Sequence, residues 1–353
     1  MNQPTSDGFQ WIKDLLKVSV WRLGYWPRQG HDANVFIFTS RRGGGTWLAE
    51  TLASIDGACK VIEPLERGVH NHFIPTQRFL PMELARQGGI ALTAEEAEDV
   101  ISFLSDIVSF RYRYMREWNV TRDDYAFFPK RNVIKVHNAK HLMSAIMESF
   151  PRDRFVFQIR HPIAQAISAM RYGSVIWSRR YLECEQILEV LPPQAHELAW
   201  KILDNDSSLL MHYVLDWALE NMIPLHLLTE LERKDLTAVT YEEMVLAPED
   251  VAFYLSRRTG ADRAKVAVSL NRPSKTTDQQ SVRQLIREQE RMTMLSRWQG
   301  NVSDRFLEDV QALLDSCGIS LYSAGDPLPK RPLAIRDSAW GQHTLPRSEH
   351  PGS

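Results

Sequence analysis

A glycine turn set between two opposite periodicities restricts the fold of this chain more than any other feature. Residues 34–39 read NVFIFT, residues 39–47 read TSRRGGGTW, and residues 46–55 read TWLAETLASI. The first stretch is a short apolar run rich in β-formers, as a strand buried on both faces requires. The last has helical spacing. Three consecutive glycines between them, Gly43, Gly44 and Gly45, let backbone N–H groups turn toward an anion without obstruction by Cβ atoms. The helix starting near Thr46 adds the positive end of its dipole. Arg41 and Arg42 add fixed charge and forked donors. Strand, glycine loop and helix together make a cradle for a phosphate or sulfate. The loop is not a Walker A motif, because Thr46 follows Gly45 with no lysine between them.

The rest of the chain repeats the strand–helix alternation. Apolar β-runs stand at 60–63 (KVIE), 132–136 (NVIKV), 154–159 (RFVFQI) and 236–240 (LTAVT). Thr93 with Glu96 forms a capping box that opens a helix over 94–118. Further helices are predicted at 139–150, from Pro162 onward, and over 194–222, 248–259, 278–297 and 303–316. Gly260 and Gly318 serve as C-caps for two of them. Five short strands alternating with helices give an α/β fold, a central parallel sheet with helices on both faces. Ligands of such sheets bind beyond the carboxyl ends of the strands. Residues 31–325 are expected to form a single domain with helical insertions. Residues 1–30 are an amphipathic extension, and 326–353 an extended tail rich in Pro, Arg, Ser and His.

Composition narrows the partners. With 42 Lys plus Arg and 44 Asp plus Glu, the net charge is −2. A general nucleic-acid binder carries a basic excess, so nucleic acid is not expected as a partner. The three cysteines, at 59, 184 and 317, have no paired spacing, which argues for a reducing compartment and a cytoplasmic location. No run approaches the length of a membrane-spanning helix. Charges at Lys13, Asp14, Lys17 and Arg22 interrupt the apolar residues of 8–26, so this stretch is no signal peptide. It reads as a helix docked on the core or, since Trp and Lys suit an interface, in peripheral contact with a membrane surface.

The loop TSRRGGGTW resembles the 5′-phosphosulfate-binding loop of the sulfotransferases that use 3′-phosphoadenosine 5′-phosphosulfate (PAPS). The resemblance implies the sulfotransferase variant of the P-loop nucleoside-triphosphate-hydrolase-like fold. Arg42 falls on the family's basic position, Gly44 on its glycine and Thr46 on its last threonine. Trp47 falls where many cytosolic members carry an adenine-stacking Trp. Arg41, Gly43 and Gly45 replace the family's Pro, Ser and Thr, which removes two hydroxyl donors. A second segment, RFVFQIRHPIAQAISAM at 154–170, resembles the family's 3′-phosphate motif. Arg160 stands at a strand end there and Ser168 on the following helix. Charge-assisted bonds from such a pair suit one phosphate.

Two base candidates follow from the same resemblance. VIKVHNAK at 133–140 is similar to the Lys-x-His segment of cytosolic sulfotransferases, which implies His137 as base beside Lys135. An imidazole suits proton removal near neutrality. VIEPLERG at 61–68 is similar to the Glu-Pro segment of carbohydrate sulfotransferases, which implies Glu63. Tyr241, in TYEEM, resembles a family Tyr that lies near adenine. The family's Arg-Lys-Gly loop is missing. NRPSKTTD at 271–278 stands at that stage of the chain, with Arg272, Ser274 and Lys275 as candidate replacements.

The resemblance thus implies an enzyme moving a sulfonate from PAPS to a hydroxyl or amine of a small-molecule, lipid or carbohydrate acceptor. The other product is 3′,5′-adenosine bisphosphate (PAP), and no metal is implied. Two alternatives come from other classes. One is a kinase-like phosphoryl transferase, which magnesium dependence would reveal. The other is a nucleotide-binding protein without turnover. The segments 65–131 and 172–222 are expected to build the acceptor pocket.

Overall fold

The structure, a computed structural model, describes residues 32–55, 57–65, 90–111, 129–205, 207–272 and 291–334. The segment 8–26, Ser274, Lys275 and all but the end of the 278–297 helix lie outside these residues. Strands β1 (Val35–Thr39), β2 (Ala58–Ile62), β3 (Arg131–Val136), β4 (Arg154–Ile159) and β5 (Leu236–Thr240) form one sheet in the order β2-β3-β1-β4-β5. Every neighbouring pair is parallel. From β1 the chain runs out to the edge at β2, returns to β3, then crosses to β4 on the far side of β1. The topological switch therefore lies at the carboxyl end of β1, where the glycine loop begins.

Alternation along the strands fills two cores. Phe36, Phe38, Ile134, Val136, Phe155 and Phe157 face one way. They pack against α2 (Ala94–Val108), α3 (Met143–Ser149), α4 (Pro162–Tyr172) and α8 (Leu209–Glu220). Val35, Ile37, Val133, Val156 and Val239 face the other way. They meet α1 (Gly45–Leu52), α10 (Tyr241–Leu246), α11 (Pro248–Thr259) and α12 (Arg263–Leu270). This is the expected parallel α/β sheet with helices on both faces. Between these lie the short α5 (Ser178–Tyr181) and α6 (Glu185–Leu188), then α7 (Pro193–Asp204) and α9 (Met222–Thr229). Helices α13 (Arg291–Ser296) and α14 (Asp304–Ser316) follow.

Local chemistry explains where the elements end. Thr93 and Glu96 form the capping box as predicted, with bonds of 2.8 and 3.2 Å. The helix they open stops at Val108 rather than continuing through 118, because Phe110 takes a left-handed backbone (φ 57°). The predicted helix over 194–222 is two helices. Ser208 accepts from the Met211 N–H and starts α8 afresh after Asn205. A short helix, α9, follows before β5, where the sequence had suggested none. Gly260 and Gly318 are left-handed helix caps, as expected. Residues 326–334 pack along the core without regular secondary structure. Leu328 is buried, and the N–H groups of Leu333 and Ala334 donate to the buried carboxylate of Glu243. Among the described residues no helix is long and apolar enough to cross a membrane.

Candidate active site

The glycine loop is clamped onto the end of the sheet. Gln158 on β4 donates from Nε2 to the Gly43 carbonyl and accepts from Thr39 Oγ1 (2.6 Å). A Cβ at Gly45 would stand 2.1 Å from Thr39 Cγ2, and one at Gly44 would stand 2.5 Å from the Tyr241 ring. Gly44 also has φ 101°, a conformation other residues rarely adopt. Only a chain without side chains fits this groove. The missing family hydroxyls thus have a steric reason at position 45, where a Thr would overlap β1. The Gly43 N–H donates to the Ser40 carbonyl at 3.1 Å, so the backbone amides of 44–46 remain the donors available to an anion. A sulfonate or phosphate fits such a cradle.

Two of the five non-glycine residues with positive φ among the described residues, Arg42 (61°) and Glu63 (53°), belong to this region. Backbone strain held at such points is characteristic of functional sites.

On the β3 side, Lys135, His137, Thr46 and Glu63 gather. Lys135 Nζ donates to Thr46 Oγ1 at 3.0 Å and to Glu63 Oε1 at 2.5 Å. His137 Nε2 lies 3.7 Å from the same carboxylate oxygen, close enough for charge to act but too far for a hydrogen bond. Glu63 is held there by its own backbone, whose N–H donates to the Lys135 carbonyl at 2.8 Å. His137 is buried, and burial pushes its pKa well below the ordinary imidazole value. The Glu63 charge opposes that shift, while Lys135, Arg41 and Lys140 reinforce it. The imidazole is therefore neutral at physiological pH.

On the β4 side, Arg42, Arg160, Ser168 and Tyr241 meet. Arg42 Nε donates to Ser168 Oγ at 3.3 Å, and its guanidinium sits 4.8 Å from the Tyr172 ring centre. Arg160 Nη1 donates to the Arg42 carbonyl at 3.2 Å and stacks 4.3 Å over Tyr241. Arg42, expected at the sulfonate end, thus turns toward the second signature. Lys135 stands at Thr46 in its place.

Trp47 is buried against α12, with its indole N–H donating to the Ser269 carbonyl at 3.4 Å and its ring edge-on to Tyr241. Trp47 is 9% exposed. Arg272 is exposed, and its backbone N–H closes the end of α12 onto Ser269. The Arg257–Gly260 segment is a helix end, as read from the sequence.

One participant went unassigned in the sequence. Lys140 is fully buried beneath the loop, donating to Ser40 Oγ (2.5 Å) and Asn221 Oδ1 (2.8 Å) and pairing with Glu220 at 3.1 Å. Burial lowers its pKa, and Glu220 counters the shift. A lysine among the apolar residues of 139–147 was the available signal. Its spacing three residues past His137 could not say which partner it meets.

No family model matches the chain, and no curated protein matches it. Among solved structures it is similar to a sulfotransferase from Alicyclobacillus acidocaldarius. That likeness has 12% identity and a TM-score of 0.35, covering 80% of this chain and 96% of the other. It is also similar to the sulfotransferase domain from the curacin biosynthetic pathway, at 13% identity and a TM-score of 0.32, covering 90% and 93%. At that distance function has to be argued from the site itself.

Proposed function

We propose that this protein is a PAPS-dependent sulfotransferase. One observation carries the reading. Two signatures 118 residues apart meet on one glycine loop, through Arg160 on the Arg42 carbonyl and Arg42 on Ser168. A cradle for one anion thus lies beside a second cluster of cations and a hydroxyl, the arrangement a nucleotide with phosphates at both 3′ and 5′ positions needs. When bound, PAPS supplies the sulfonate and a 5′-phosphate leaving group. The amides of 44–46 with the Thr46 hydroxyl hold the 5′ end, and Lys135 faces the charge that develops there. Arg160, Ser168 and Arg42 hold the 3′-phosphate through charge-assisted bonds.

His137 takes the proton from the acceptor hydroxyl or amine. It is the better base because it is neutral and its neighbour Glu63 is engaged by Lys135. Glu63 then serves the resulting imidazolium as counter-charge, so the two sequence candidates act as a pair. The acceptor is a small molecule, lipid or carbohydrate.

Thermal stability with PAP against 5′-AMP tests the donor assignment. A ligand at 100 times its Kd stabilises by about 2.7 kcal/mol. PAP should shift the unfolding transition at concentrations where AMP does not. Equal shifts would remove the 3′-phosphate site from the account.

A further inference from the structure

The glycine loop is entered through a strained turn. The Gly43 N–H donates to the Ser40 carbonyl and closes a turn over residues 40–43. The third residue of that turn, Arg42, has φ 61°. A turn with this sign at its third position normally takes glycine there. An arginine stays in that conformation only where its surroundings fix it. Gln158 fixes the far end of the turn at the Gly43 carbonyl, and Arg160 fixes the middle at the Arg42 carbonyl.

The near end falls to Lys140, which is 1% exposed. Its Nζ meets Ser40 Oγ at 2.5 Å, Asn221 Oδ1 at 2.8 Å and Glu220 Oε1 at 3.1 Å. The Asn221 amide is oriented by its own Nδ2, which donates to the Trp217 carbonyl at 2.7 Å, so its oxygen faces the lysine. An ammonium has three protons and no acceptor site. Three oxygens, one of them a carboxylate's, therefore suit the charged form and leave no proton for a bound anion. The Phe157 ring, with its centre 6.0 Å from Nζ, covers another side. Trp217 extends the arrangement, since its indole N–H donates to the Arg160 carbonyl at 3.0 Å. The carboxyl-terminal end of α8 thus braces two strand ends at once, that of β1 through Lys140 and that of β4 through Trp217.

The geometry points to Lys140 as a positioning residue for the donor: it holds the Ser40 end of the turn against α8, so that the amides of 44–46 face the 5′ end of the nucleotide, and it does so without touching the nucleotide. The inference rests on the sulfotransferase reading for the identity of that nucleotide, while the hold on the turn stands apart from it. A lysine in this role differs from Lys135, whose ammonium meets Thr46 at the helix end of the loop. One cation sets the start of the loop and the other serves its end.

Lys140→Met keeps an unbranched side chain and removes the ammonium. In calorimetric titrations of the full chain, PAP should bind the variant about tenfold or more weaker, the worth of one hydrogen bond to a charged group. Adenosine 3′-monophosphate, which lacks the 5′-phosphate, should change by less than about twofold. A general loosening of the fold would weaken both ligands, so equal losses, or an unchanged affinity for PAP, overturn the inference. Lys140→Met also takes the cation from Glu220, so Ser40→Ala is the second variant. It keeps the ion pair, deletes only the hydroxyl, and should show the same selective loss at about threefold or more. Should Lys140→Met fail to fold by circular dichroism, Ser40→Ala decides. Hydrogen exchange read by mass spectrometry gives a measure without ligand. Peptides covering 40–45 should exchange about tenfold or more faster in the variants, while those covering 236–240 in β5 keep their wild-type protection. Unchanged exchange at 40–45 overturns the inference whatever the nucleotides do. A wild-type protein that responds equally to PAP and AMP would remove the sulfotransferase reading, and the exchange result would then decide for Lys140 alone.

Discussion

The two halves of the sheet present cations at their carboxyl ends, yet they treat them oppositely. On the β2–β3 half the cation is neutralised at once: Lys135 meets Glu63, and His137 is buried beside the pair. On the β4–β5 half the partners of Arg42 and Arg160 are a hydroxyl, a carbonyl and two aromatic rings, all neutral. A cation already paired with a carboxylate is poorly placed to recruit an anion but well placed to manage a proton. Cations with neutral partners keep their charge for a ligand. The glycine loop lies between the halves and belongs to both. The difference separates the two tasks of a group transfer, holding a charged donor and removing a proton, onto opposite sides of β1.

The largest expected effect breaks the proton-handling half alone. His137→Ala should lower kcat by about 10²–10⁴-fold, the usual contribution of a positioned base. The shift with PAP should persist. A loss below about tenfold would remove His137 from the chemistry. The same half predicts a pH profile. Because burial holds the imidazole well below 6.5, it stays neutral as pH falls through that value. The acid limb of kcat/KM should therefore lie below 6.5, and a limb at or above it would contradict the assignment.

Gly45→Ala should injure both halves together. Its Cβ would overlap Thr39 Cγ2 at 2.1 Å, on a side chain fixed by Gln158. Overpacking this severe costs about 3 kcal/mol or more. Thermal unfolding should show that loss together with loss of the PAP shift, and unchanged stability would mean the loop is not clamped. Arg160→Ala is narrower. Removing a charged partner costs about 1.5–3 kcal/mol, roughly 10- to 100-fold in affinity. The loss should fall on PAP and spare AMP. Equal weakening of both would move Arg160 away from the 3′-phosphate.

How much of this was legible in the sequence differs between the halves in the same way. The five strands and the loop were legible because a buried parallel strand is a continuous apolar run and three glycines have few other uses. The identity of the cationic residues was legible too, since Arg41, Arg42, Lys135, His137 and Arg160 all stand at or just past the carboxyl ends of strands. Their partnerships were not. Nothing in the spacing says that Arg42 turns to Ser168, 126 residues away, while Lys135 takes the place at Thr46. Such choices depend on the left-handed backbone of Arg42 and on the distance between strand ends, which only the packed sheet fixes.

A last, smaller effect tests whether the β4–β5 half is kept free of negative charge. Glu242 is buried behind Arg160, accepting from the His161 N–H (3.0 Å) and the Tyr322 hydroxyl (2.8 Å). Burial raises its pKa from 4.5 to about 7, against those two donors and the charge of Arg160. A carboxyl raised on folding contributes stability that is full below its unfolded pKa and is lost as pH rises through the folded one. Its contribution should thus disappear between about pH 4.5 and 7. His161 runs the other way. Its folded pKa is about 3, so it adds stability as pH rises from there toward 6.5. The two oppose each other and flatten the wild-type curve over the shared range. Glu242→Gln removes one side. Its stability relative to wild type should climb from pH 4.5 to 7 by no more than about 3 kcal/mol, then level off. The same substitution should abolish any weakening of PAP binding above pH 7, where an ionised Glu242 would offset Arg160. A pH-independent difference between variant and wild type would mean that Glu242 is ionised throughout, and that the anion-holding half carries its own counter-charge after all.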